Sequence, residues 1–184
     1  MKQVVEIDGR FSLGDKRLMK SHQKLLDVWT KLYSDENLDW PERRKIGLRD
    51  LGEEVPKIRV CEYLPSGRVN FRLSGSDLNS VLEIDLVHED PYEKYAVDVM
   101  DLVEKVQKLI HDNACAALVR YYLHYPDGKV VDVETLMLPI KGPREDRKYT
   151  IGHMIERASR YDVLIKADSR IGFYKPSLVY VAEL

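Results

Sequence analysis

Two long stretches rich in valine, leucine and tyrosine, residues 115–125 and 129–140, meet at Pro126-Asp127-Gly128. An Asp-Gly pair between two such stretches is a strong hairpin signal. A hairpin of that length has to bury at least one face, so the rest of the chain must supply its cover. In the second stretch Asp132 and Glu134 alternate with Val131, Val133 and Thr135, which predicts one wetter face. A further strand is predicted over residues 149–156, after the polar loop 142–147. Upstream, residues 57–64 and 68–74 flank Pro65-Ser66-Gly67 and read as a second, shorter hairpin. Between the hairpins the pattern predicts a short helix over 75–86, opened by Ser76 or Asp77 after Gly75, then a break at His88-Glu89-Asp90-Pro91. A long helix over 92–112 follows, with Tyr95, Val99, Leu102, Val106 and Leu109 on one face.

Before the first hairpin, Leu18, Leu25, Trp29 and Leu32 fall at helical spacing over residues 16–34, with Asp15 as the cap. Leu18, Leu25 and Leu32 recur every seven residues with His22 and Trp29 between them, a short seam of coiled-coil type. Two partners fit that seam: the chain's own sheet, or the same helix of a second copy in a homodimer. Pro41 and Pro56 forbid one continuous helix over residues 37–56. The tail carries strand-like runs at 163–165 and 178–181. The expected division is a helical extension over 1–56, a core over 57–157 and a tail over 158–184.

With 44% hydrophobic and 33% charged residues in 184, the chain is expected to fold around a single core. The 29 Lys and Arg nearly cancel 31 Asp and Glu, so no overall field favours nucleic acid or an anionic membrane. No apolar run approaches the roughly 18 residues of a membrane span. Residues 1–15 carry Lys2, Glu6, Asp8 and Arg10 and no signal-type apolar stretch. Cys61 and Cys115 have no second cysteine at metal spacing, and they read as small core side chains in a reducing compartment, which points to the cytoplasm. His22, His88, His111, His124 and His153 form no metal-ligand pattern, no phosphate-cradling glycine loop is present, and no nucleophile motif is visible. No catalytic residue and no cofactor emerges from these patterns.

The order of elements predicts an α+β domain: a five-stranded antiparallel sheet with helices on one face, enclosing an apolar space suited to a small ligand. Two architectures answer to it. One is the PAS fold; the other is the cone-shaped fold of ketosteroid-isomerase relatives, an enzyme in which Asp98, Asp101 or Asp132 would act as base beside a tyrosine donor. A hairpin ahead of the long helix favours the first. Residue by residue, Trp29, Trp40-Pro41-Glu42-Arg43-Arg44, Val55-Pro56 leading into Ile58-Arg59-Val60, the run Val69-Asn70-Phe71-Arg72-Leu73-Ser74-Gly75-Ser76-Asp77-Leu78 and Leu136-Met137-Leu138-Pro139-Ile140 together resemble the bacterial stand-alone PAS subfamily over residues 24–157. That resemblance implies a non-enzymatic sensory or regulatory module in signal transduction, taking a small molecule or a protein partner, or acting as a purely protein-binding dimerisation domain. With helices laid over the sheet, a ligand pocket is expected among Phe71, Leu73, Leu78, Leu82, Tyr95, Val99, Leu102, Tyr121 and Met137. Haem-binding PAS domains draw an axial histidine from the long helix or its vicinity, here His111, although a helix C-terminus attracts histidine on its own account. A flavin adduct would need a cysteine in the central helical region, where this sequence has none.

Overall fold

A computed structural model describes residues 8–13, 20–35, 40–144, 147–161, 171–173 and 178–184. The hairpin at Asp127-Gly128 closes as the sequence predicts: β4 (Cys115–His124) and β5 (Lys129–Ile140) pair antiparallel, and Gly128 turns the corner at φ +89°, a left-handed angle that suits glycine. β6 (Lys148–Tyr161) pairs with β5 along its length, continuing beyond the predicted end at Glu156. β2 (Ile58–Tyr63) pairs with β6 on one side and with β3 (Val69–Ser74) on the other. The five predicted strands therefore form the antiparallel run β3-β2-β6-β5-β4.

Three more strands enlarge it to eight. β8 (Leu178–Glu183) adds antiparallel to the outer edge of β4, β1 (Gly9–Arg10) lies parallel to β8, and the short β7 (Gly172–Phe173) also pairs with β4. An edge strand as long as β4 leaves a row of unpaired backbone groups, and β8 satisfies them. The strand-like run at 163–165 lies outside the described residues.

The helices of the core lie on one face, as the sequence pattern predicts, and the helix of the N-terminal extension covers the other. α1 (Gln23–Asp35), preceded by a 3-10 turn at Lys20–His22, lies on the outer face. There Leu25, Leu26 and Trp29 pack with Ile58, Val60, Leu118, Leu136, Leu138 and Ile151. Residues 14–19, including Asp15 and Leu18, are outside the described set. After the turn of α2 (Leu48–Leu51) the chain enters β2, and the opposite, inner face is covered by α3 (Ser76–Leu82), α4 (Pro91–Lys94) and α5 (Val97–Asn113).

Two local details depart from the sequence reading. The predicted long helix is broken at Tyr95-Ala96, where the backbone is extended and pairs with the tail: Ala96 N donates to Ile171 O (2.8 Å) and Ile171 N to Lys94 O (3.4 Å). Neither Ser76 nor Asp77 is the cap of α3, which has no side-chain cap, whereas Asp90 caps α4, accepting from Tyr92 N at 2.9 Å. Gly75 is itself the N-cap of α3, at an ordinary φ of -73°. Its lack of a side chain matters for space, because a Cβ there would lie 2.1 Å from Pro56 O. Among the described residues no helix is long and apolar enough to cross a membrane.

Candidate functional site

The alternation of β2, β4 and β5 sends one set of side chains outward to α1 and the other inward to α5. Beneath α5 the inward set leaves a cavity of about 40 Å³. Its wall is built from Phe71, Leu82, Leu86, Pro91, Tyr95, Val99, Met100, Leu102, Val103, Val106, Val119, Tyr121, Leu123 and Met137, with Arg59 at one side. That volume holds a few water-sized groups.

Of the residues expected at a pocket, Phe71, Leu82, Tyr95, Val99, Leu102, Tyr121 and Met137 line this cavity. Leu78 is fully buried in the same apolar cluster without reaching the wall. Leu73 is on the other face, packed with the α1 cluster. The reason is a β-bulge: Val60 pairs with Leu73 and Cys61 with Phe71, so Arg72 is the extra residue, and the alternation flips across it.

The polar groups of the cavity are few. Tyr95 Oη donates to Leu82 O at 3.0 Å, and burial pushes its hydroxyl well above the ordinary tyrosine range. Tyr121 Oη lies 3.5 Å from Thr135 Oγ1 and 3.7 Å from Met154 Sδ. Arg59 enters from β2 and is only 5% exposed. Its Nη2 reaches Met137 Sδ at 3.3 Å and its Nε has no partner. Gly152, opposite it on β6, makes room for the side chain; a Cβ there would come within 3.2 Å of Arg59 Nε. Sequence reading passed over Arg59 as part of a motif. The available signal was its inward register with Cys61 and Tyr63, a cation on the buried side of an apolar strand.

The other expected sites are dispersed. Asp98 and Asp101 are exposed on α5, and Asp132 faces Arg157 on β6 at 3.7 Å, so none of the three lines the cavity. His111 is buried at the C-terminal end of α5 between the rings of Trp40 and Tyr63 (5.8 and 6.2 Å) and is absent from the cavity wall. Neither of its ring nitrogens has a partner, and burial, reinforced by the Lys148 charge, lowers its pKa to about 4. Among the described residues no cluster of three or more His, Cys, Asp or Glu is arranged to hold a metal. Both cysteines are free and buried.

Of the seam residues, His22, Leu25 and Trp29 are packed on the chain's own sheet and Leu32 is half-buried against the same cluster. Trp29 Nε1 donates to Pro139 O at 2.8 Å, and its ring stacks on Tyr33 at 4.8 Å. His22 Nδ1 lies 2.8 Å from His153 Nδ1; its Nε2 lies 3.2 Å from Glu134 Oε1, while His153 Nε2 lies 2.9 Å from Glu54 Oε2. Glu134 is also met by Arg120 and Arg157. Burial and the neighbouring His22 lower the His153 pKa to about 4, against the opposing pull of Glu54. The period of seven in α1 thus coincides with a stripe that the intramolecular core uses.

An antiparallel run in the order β3-β2-β6-β5-β4, capped by helices over an inner cavity, defines a cavity-bearing α+β domain. The family model described as PAS domain matches residues 17–155, most of the 184-residue chain, and the chain belongs to the PAS domain family. No curated protein matches it. PAS domains are typically sensory or regulatory modules rather than enzymes.

Proposed function

We propose that the protein is a PAS-type signalling module in which the cavity under α5 takes a small molecule, and in which occupancy is read as a change in how α4 and α5 dock on the sheet. The single observation that supports this is the cavity itself, an apolar hollow on the sheet's inner face with two tyrosine hydroxyls and one guanidinium at its wall. Its size also bears on mechanism. A hollow of about 40 Å³ accepts only a short molecule unless the elements over it move. Native mass spectrometry of the purified protein reads subunit count and any retained small molecule in one measurement. Leu102→Ala and Tyr121→Ala are expected to weaken retention more than they lower the melting temperature; equal loss of both overturns the reading.

A further inference from the structure

Arg59 poses an energetic question that the packing around it leaves unanswered. A buried cation is costly unless an anion or a full set of acceptors meets it. The two buried carboxylates elsewhere in the sheet obey that rule. Glu62 is held by Arg72 Nε (2.6 Å) and Arg147 Nη1 (2.9 Å), and Glu134 by His22, Arg120 and Arg157. Arg59 does not: among the described residues no carboxylate comes within ion-pair distance of it, and its acceptor is the thioether of Met137. Glu62, three residues along the same strand, points to the other face and is taken. Nε and Nη2, the edge of the guanidinium that grips a carboxylate side-on with two parallel N–H donors, are the atoms left without an oxygen.

From this geometry we propose that the occupant of the cavity is a short-chain monocarboxylate, its carboxylate seated against the Arg59 guanidinium and its alkyl chain laid along Val99, Leu102, Val106 and Val119; the proposal rests on the cavity being a ligand site. The single positive charge at the wall balances a single negative one. The remaining wall is apolar and favours an alkyl group over further polar groups. The volume limits the chain to a few carbons. A phosphate, with more than one charge and more oxygens than this edge can serve, fits worse.

The test titrates the full chain with sodium butyrate and with butyramide, at matched ionic strength, by calorimetry and thermal melting, in the native sequence and in Arg59→Met. Butyrate is expected to bind and raise the melting temperature, and butyramide to bind about thirty-fold or more weakly, the scale of losing one partner of a buried charged pair. Arg59→Met is expected to abolish butyrate binding while leaving the ligand-free melting temperature unchanged or higher, since an unpaired buried charge gives way to an apolar chain of similar length. Equal binding of butyrate and butyramide overturns the carboxylate proposal and leaves the cavity reading standing. So does the failure of both when native mass spectrometry still finds a retained small molecule. Failure of both with nothing retained overturns the two together. A drop of more than about 5 °C in ligand-free Arg59→Met, with butyrate binding intact, assigns Arg59 to structure alone and also overturns the proposal.

Discussion

On the outer face of the sheet Glu134 is surrounded by His22, Arg120 and Arg157, Trp29 has its indole nitrogen on Pro139 O, and α1 lies flush over Ile58, Val60, Leu136 and Leu138. On the inner face, a single strand's thickness away, a guanidinium meets only a sulfur, and the helix above it stands off far enough to leave a void. Both faces are built from the same strands by the same alternation. What differs is the company each buried charge keeps: Glu134 is met by His22, Arg120 and Arg157 on one side, whereas Arg59 on the other meets a thioether. An unpaired buried charge is costly, so Arg59 is a local stability cost on the inner face.

The comparison is sharpened most strongly by Trp29→Ala. Removing that side chain, 1% exposed and hydrogen-bonded, is expected to cost about 3–5 kcal/mol in urea unfolding. A loss below about 1 kcal/mol would break the picture of a consolidated contact between α1 and the sheet.

Acid comes next. The folded-state pKa values of His153 and His111 lie near 4, below the ordinary histidine value of 6.5, so the unfolded chain takes up those protons first. Their contribution is complete above pH 6.5 and is lost as pH falls toward 4, by up to about 3 kcal/mol per group. The carboxylates add to the loss at the lower end. Lys57 and His153 hold Glu54 below its usual range, and Glu134 is brought below it by His22 and Arg120 although burial alone would raise it. Urea midpoints measured from pH 7 to pH 4 should fall throughout; a flat profile contradicts the burial of both histidines.

Gly75→Ala should cost about 1–3 kcal/mol, because the added methyl has to displace the backbone at Pro56. Chemical denaturation reads it directly.

The smallest effect is a contrast between two buried histidines. His153→Leu strips His22 and Glu54 of a partner and is expected to destabilise by about 1–3 kcal/mol. His111→Leu removes two ring nitrogens that bond to nothing, and should be neutral or gain up to about 1 kcal/mol. Equal losses in the two variants would erase the distinction between satisfied and orphaned polar groups on which the comparison of the faces depends.

How far the sequence reads is visible in the same elements. The antiparallel run was legible because its information is local: Asp127-Gly128 closes one hairpin, Ser66-Gly67 the other, and alternation marks the strands between. Most of the cavity wall follows from that alternation together with the helical period of α5. Leu73 was misplaced because a bulge at Arg72 costs one residue of register and leaves no composition signal. The break at Tyr95-Ala96 is imposed by Ile171, more than seventy residues away, and no window around residue 95 contains it. The stripe of α1 is genuine in the sequence, but a period says that a face is buried and not what buries it. Arg59 was in view throughout; only the surroundings reveal that it lacks a counter-ion.

Ile171 has one further consequence. Its backbone stitches both sides of the interruption between α4 and α5, and the next residues form β7 on the edge of β4. The base of the roof over the hollow is thereby sewn to the rim of the sheet. Any displacement of that roof therefore pulls on a thread of main chain at the selvedge of the sheet beside β4.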